Sequence, residues 1–231
     1  MNNDPTCTYQ TYDLNTLEPI GIESKTRLNE LDFLRDLVVD QQILDIGTNS
    51  GIVAIQAAKW GAKRILATDV NKQLVDHLRN IVEAHDLPIS AEICAFKSLD
   101  PLIFKSDVVL CLEVIHWLVH QGNPISEIVE KLDSLTNKTL IIETPWDKSE
   151  KSIQARMNSS LEKYNLPDIL DLFLQIGYRV LSSTFSNFQS ITLPNIITTN
   201  DNQNTLLNNL GNTILSFLQT HEFNTTIANH L

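Results

Sequence analysis

The sequence predicts an α/β fold: a doubly wound sheet of about seven strands, mostly parallel with an antiparallel last strand, and helices on both faces. Three observations carry this. Short apolar runs alternate with amphipathic stretches of helical length. A tight, glycine-punctuated loop follows the first run, and the last two runs are joined by a short polar connection.

Taken in order, residues 1–40 form an N-terminal helical extension. Within it Lys25 to Val39 reads as one amphipathic helix, with Leu28, Leu31, Leu34 and Leu37 recurring every third position and Phe33 and Val38 widening the stripe. Gln42 to Ile46 is a strand, Gly51 to Trp60 a helix and Arg64 to Thr68 a strand. Asn71 to Ala84 is a helix with apolar Leu74, Leu78, Ile81 and Val82. Ser90 to Ala95 and Asp107 to Leu112 are strands. Asn123 as cap and Pro124 at the first helical position start a helix that runs to Leu135. Thr139 to Glu143 is the fifth strand. Pro167 to Ile176 is a helix closed by Gly177, and Tyr178 to Ser182 and Phe188 to Leu193 are the final strands.

The domain division that follows is 1–40 as extension, 41–194 as the ligand-binding domain, and 195–231 as a polar linker with an amphipathic helix. That last helix carries Leu207, Leu210, Ile214 and Leu218. It packs back on the domain, or meets a second copy or a further domain.

Composition narrows the function. The chain has 231 residues, 42% of them hydrophobic, enough for one domain with a sizeable core. Its start is polar, and no stretch approaches the roughly 18 apolar residues of a membrane helix. Cys7, Cys94 and Cys111 are odd in number and read as reduced thiols, two of them in buried strands; the expected compartment is cytoplasmic. The net charge is −11, from 28 acidic and 17 basic residues. Nucleic acids are gripped through cations on phosphates, and Lys59, Lys63 and Arg64, the nearest approach to a basic cluster, are dispersed. Bulk RNA or DNA is disfavoured.

The informative stretch is Ile43-Leu44-Asp45-Ile46-Gly47-Thr48-Asn49-Ser50-Gly51-Ile52. In an open parallel sheet, ligands bind beyond the carboxyl ends of the strands where the strand order reverses. A dinucleotide fingerprint would place glycines at 47, 49 and 52, but Asn49 and Ile52 stand there. Asp45, read as lying inside the turn, would repel a pyrophosphate. S-adenosylmethionine has no phosphate and carries an ammonium and a sulfonium, so an acid beside the loop helps it. A second acid, Asp69, ends the next strand 18 residues past Gly51, where a carboxylate accepts both ribose hydroxyls. The competing role for Asp69 is as N-cap of the following helix.

With Leu44-Asp45-Ile46-Gly47-Thr48-Asn49-Ser50-Gly51, Thr68-Asp69-Val70 and Asp107-Val108-Val109-Leu110-Cys111-Leu112-Glu113-Val114-Ile115-His116, the chain resembles class I S-adenosylmethionine-dependent methyltransferases over residues 40–195. Gly177-Tyr178-Arg179-Val180 is similar to that family's turn into its sixth strand. The resemblance implies a Rossmann-like sheet and S-adenosyl-L-methionine as cofactor. Asp45, Gly47, Asn49, Gly51 and Asp69 would then be cofactor-binding, and Val70, Ala95 or Phe96 would be apolar walls for the adenine. The chain departs from the family in having Asn49 as the loop's middle residue. It also lacks an acid in Cys94-Ala95-Phe96-Lys97-Ser98, where the third strand usually offers one to the adenine. Tyr9, Tyr12 and Arg27 would close over the ligand, with Arg27 meeting the methionine carboxylate or else standing as a solvated helix charge.

Acceptor chemistry is expected at the end of the fourth strand. Glu113-Val114-Ile115-His116-Trp117-Leu118-Val119-His120 gathers two histidines, an acid and an aromatic ring. His116, with Glu113, is the catalytic candidate: a general base, a group that orients substrate or packs on the cofactor, or else an inert side chain. Glu113, His116 and His120 on one helix would also make a metal site, but a fourth ligand is missing, and no metal is expected. Trp146, in Glu143-Thr144-Pro145-Trp146-Asp147, is either a substrate wall or part of a plain strand end, and Ser149 to Tyr164 is a lid or an insertion.

The stretch from His116 to Gly122, followed by a helix and Leu140-Ile141-Ile142-Glu143, resembles a bacterial branch that includes the methyltransferase part of methyltransferase–kinases terminating O-antigen chains and related small-molecule methyltransferases. The leading expectation is a small-molecule or glycan O- or N-methyltransferase. The alternatives are a protein or RNA methyltransferase, which the acidic charge disfavours, and a non-catalytic cofactor-binding protein acting through its last helix. A nicotinamide oxidoreductase ranks last, because the glycine spacing is wrong for it.

Overall fold

The computed structural model describes residues 11–145, 184–185 and 190–196, with side chains to residue 143. Its centre is a seven-stranded sheet built from β3 (Gln42–Ile46), β4 (Arg64–Asp69), β5 (Ile89–Ile93), β6 (Ser106–Leu112), β7 (Thr136–Pro145), β8 (Thr184–Phe185) and β9 (Ser190–Ile196). The order is β5-β4-β3-β6-β7-β9-β8. Neighbours from β5 to β7 are parallel, and β9 is antiparallel to both β7 and β8. Strand order reverses between β3 and β6, so the crevice lies at their carboxyl ends.

The strands are buried on both faces, and their side chains alternate between two cores. On one face Ile43, Ile65, Val108, Leu110 and Ile141 pack under α1 (Gly21–Glu30), α3 (Ile52–Lys59) and α4 (Lys72–His85). On the other, Leu44, Leu66, Val109, Cys111 and Ile142 meet α5 (Pro101–Phe104), α6 (Ile115–His120) and α7 (Ile125–Leu135).

Four local expectations are corrected. The stretch from Lys25 to Val39 is not one helix: α1 ends at Glu30, a 3-10 turn spans Asp32–Leu34, and α2 takes Arg35–Val38. A strict repeat of three is the period of a 3-10 turn, and an α-helix would rotate that row away from the core. Leu31, Leu34 and Val38 are buried, whereas Phe33 is exposed. Asn123 does not cap α7; its amide nitrogen donates to the Leu118 carbonyl at 2.6 Å, closing α6, and Pro124 takes the cap position. β9 runs to Ile196, past the expected end at Leu193, because β7 reaches back to Thr136 and pairs with it as far as Thr139–Ile196. Cys94 lies just beyond β5 and is half-buried, not within a buried strand.

Ahead of the sheet, β1 (Thr11–Tyr12) and β2 (Pro19–Ile20) form a small antiparallel hairpin that leads into α1. Tyr12, Leu17, Leu28, Leu31 and Leu34 share one core with Ile43 and Val53, so the leading segment is part of the packed body. No helix among the described residues is long and apolar enough to cross a membrane. Tyr9, Cys7, Trp146, the Ser149 to Tyr164 stretch, the Pro167 to Ile176 helix, the Tyr178 to Ser182 strand and the terminal amphipathic helix lie outside the described residues.

Candidate active site

The loop from β3 to α3 turns because three of its residues take the left-handed region: Gly47 at φ 72°, Asn49 at 54° and Gly51 at 83°. Asn tolerates that region better than other side-chain-bearing residues, which explains its place between two glycines. Its Oδ1 also accepts the Ser50 amide at 2.7 Å. Neither glycine is replaceable. A Cβ at Gly47 would stand 2.6 Å from Val114 Cγ2, and one at Gly51 would stand 2.5 Å from Leu78 Cδ1. Both glycines serve close approach within the protein.

β4 clamps this loop. The Gly47 and Thr48 amides donate to the Thr68 carbonyl at 2.8 and 2.9 Å. The Asn49 amide donates to Asp69 Oδ2 at 2.9 Å, and the Asn71 amide donates to Asp69 Oδ1 at 2.8 Å. Asp69 is therefore not the cap of α4. That place belongs to Asn71, whose side chain accepts the Gln73 and Leu74 amides.

Asp45 lies in β3, not in the turn, and is 3% exposed. The Thr48 hydroxyl donates to its Oδ2 at 2.6 Å. Burial pushes the Asp45 carboxyl up to about 6; the Thr48 hydrogen bond opposes the rise, the nearby Asp69 carboxylate adds to it, and the Arg27 charge opposes it. The structure thus brings Asp45 and Asp69 together on adjacent parallel strands, within electrostatic reach of each other and of the left-handed loop.

Of the apolar candidates, Val70 is 66% exposed at the tip of β4 and Ala95 is exposed beyond β5. Phe96 differs: it is buried in the second core with Leu44, Ile46, Leu66 and Leu99. The exposed apolar surface at these tips is Val70, Ile93 and Ala95.

Arg27 is no solvated helix charge. Its guanidinium forms a forked ion pair with Glu143, donating from Nη1 to Oε1 at 2.6 Å and pairing Nη2 with Oε2. Tyr12 does reach the loop, its hydroxyl donating to the Ser50 carbonyl at 2.8 Å. Thr48 and Glu143 were not expected in the site. The Asp45-to-Thr48 spacing was a usable signal for the first, and no local pattern marks the second.

At the end of β6, Glu113 adopts φ 59°, and its amide donates to the Glu143 carbonyl at 2.7 Å. This turn starts α6, in which His116 is buried and His120 exposed. Glu113 Oε2 lies 3.9 Å from His116 Nδ1, and the His116 ring packs against Trp117 with centroids 5.3 Å apart. Among the described residues no group of three or more His, Cys, Asp or Glu is placed to hold a metal ion.

Residues 25–151 match the family model described as ribosomal protein L11 methyltransferase (PrmA). The chain belongs to that family. A relative from Thermoanaerobacter pseudethanolicus with the same name is 31% identical over 113 residues, covering 48% of this chain and 32% of its own length. This member of the family thus spans about a third of that relative.

Two solved structures show the same fold. One is a ribosomal protein L11 methylase from Lactobacillus delbrueckii subsp. bulgaricus, with TM-score 0.56 and 21% identity, covering 78% of this chain and 81% of the other. The second is WbdD, described as a bifunctional kinase-methyltransferase, with TM-score 0.59 and 19% identity, covering 78% and 42%. The sheet is thus the Rossmann-like one of class I methyltransferases. The expectation of a small-molecule or glycan partner is corrected, since the family and its named relatives act on a ribosomal protein. That expectation leans on the stretch from His116 to Glu143 and on the acidic charge, whereas the family match spans residues 25–151.

Proposed function

We propose that this chain is a cytoplasmic S-adenosylmethionine-dependent methyltransferase whose acceptor is a protein. One observation carries the reading: a left-handed loop is clamped to the Asp69 carboxylate, with the buried acid Asp45 beside it. That donor set suits a nucleoside bearing positive charge and repels a pyrophosphate. Asp69, already oriented by two amides, would accept the ribose hydroxyls, Val70 and Ala95 would flank the adenine, and Asp45 would face the ammonium. When bound, the cofactor supplies a methyl carbon activated by a sulfonium leaving group.

A protein acceptor is supported by the printed names of the relatives, against the expectation that the net charge of −11 disfavours a protein or RNA acceptor. An amine acceptor must lose a proton before its nitrogen attacks. His116, with Glu113 Oε2 3.9 Å from its Nδ1, is the proposed base. We assign the binding domain to residues 41–196, moving the expected end at 194 to the end of β9, with residues 1–40 as its N-terminal extension.

The test is label transfer. The protein is incubated with methyl-tritiated S-adenosylmethionine and, separately, with ribosomal proteins, ribosomal RNA and a small-metabolite extract. Label is expected in the protein fraction. Label in the RNA or metabolites alone overturns the acceptor. Calorimetry should show S-adenosylhomocysteine binding and no response to NAD.

A further inference from the structure

A buried ion pair at the ligand-binding edge of a parallel sheet has no ready account in stability. Desolvating two charges offsets most of their attraction, and apolar replacements of like size are commonly neutral or stabilising. Arg27 and Glu143 form such a pair across 116 positions, with side chains 15% and 8% exposed.

Each partner has a second connection at the same edge. The Glu143 carbonyl holds the amide of Glu113, whose left-handed backbone turns β6 into α6. The Arg27 charge acts on Asp45 at the end of β3. The forked pairing with Glu143 fixes the plane as well as the position of the Arg27 guanidinium, which would otherwise be free to turn.

We propose that Glu143 is a positioning residue: it holds Arg27 at the sheet edge that also carries Asp45, so that an acid and a base are both available there for the ammonium and carboxylate of the cofactor's amino-acid end. The proposal rests on the cofactor reading above and deepens it. Glu143 itself touches no ligand.

The experiment compares two probes, S-adenosylhomocysteine and 5′-methylthioadenosine, which shares the nucleoside but lacks the amino-acid end. Binding of each is measured by calorimetry on the full chain and on Glu143→Gln. The expected result is at least a tenfold loss of affinity for S-adenosylhomocysteine, with methylthioadenosine affinity kept within twofold. Equal losses for both probes, or no loss for either, overturn the proposal. Should Glu143→Gln fail to fold, Glu143→Asp, which keeps the charge but shortens its reach and leaves Arg27 in place, is judged by the same ratio. If the unaltered chain binds neither probe, the cofactor reading itself fails; if it binds both and the ratio does not change, only the role of Glu143 fails.

Discussion

The Asp69 carboxylate accepts the Asn49 amide at 2.9 Å, so the tip of β4 and the loop after β3 move as one piece. The second oxygen takes the Asn71 amide, which fixes the carboxylate from both sides before any ligand arrives. Pre-organisation of this kind spares the ordering that binding otherwise requires.

Replacing Asp69 with Ala is therefore expected to weaken S-adenosylhomocysteine by at least tenfold in calorimetry, because the loop clamp and the ribose acceptor vanish together. Asp69→Asn keeps the size and one acceptor oxygen and should fall between the two. An unchanged affinity for the Ala variant would remove Asp69 from the site.

At Asn49 the backbone decides. With φ at 54°, Asn49→Val is expected to destabilise the fold by about 1–2 kcal/mol, while Asn49→Gly stays within about 0.5 kcal/mol of the parent. Urea denaturation of both variants checks the order. Equal stabilities would show that the left-handed turn relaxes freely.

Gly51→Ala faces two obstacles at once, φ 83° and the fully buried Leu78 at 2.5 Å from the new carbon. Trimming Leu78 to Ala removes the clash but leaves the backbone strain and opens a void. The double variant is thus expected to remain well below the parent in thermal melting. Full recovery would show that contact alone, not φ, required glycine.

Asp45 gives a pH signature whose sign can be worked out. Its folded value is about 6 against an ordinary 3.8, so between these values the folded chain holds more proton than the unfolded one. Stability from this group is therefore lost as pH rises from about 4 to about 6, and the penalty persists above that window. Asp45→Asn is expected to exceed the parent in denaturant stability by about 3 kcal/mol near pH 7, with the gap closing below about pH 4. The same variant should bind S-adenosylhomocysteine less tightly, which would show a stabilised site traded against its ligand. A gap that does not vary with pH would mean that Asp45 does not titrate in this range.

For His116, the split between chemistry and binding is the measurement. His116→Gln should lower single-turnover methyl transfer by at least tenfold and leave cofactor affinity within twofold, as expected of a base. Loss of affinity with intact turnover would assign it to binding instead.

Much of the sheet was legible because a strand buried on both faces reads as an apolar run bounded by turn residues: β3 matched its expected span, and β4 and β6 differed by one residue. The tight turn after β3 was legible from its glycines, whereas the left-handed backbone of Asn49 was not, since Asn49 stands as a departure from a glycine pattern. Other features were not. The Leu28-to-Leu37 row reads as one helix although its period of three fits a 3-10 turn better, and the break at Leu31 has no glycine or proline to mark it. Asn123 carries a cap signature, yet its amide is taken by Leu118, a tertiary choice no local pattern reveals. Phe96 looked like a ligand wall from its place after β5, but a large ring beside an open core is drawn inward. Arg27 and Glu143 are 116 positions apart, and nothing near either one announces the other.

The hairpin and α1 are fastened to four different parts of the body: Tyr12 to the β3–α3 loop, Leu14 to His85 of α4, Glu18 to Lys59 of α3, and Arg27 to the end of β7. Chimeras between members of this family must therefore inherit that leading stretch and the sheet from the same parent, because a foreign segment would have to reproduce four separate fastenings at once.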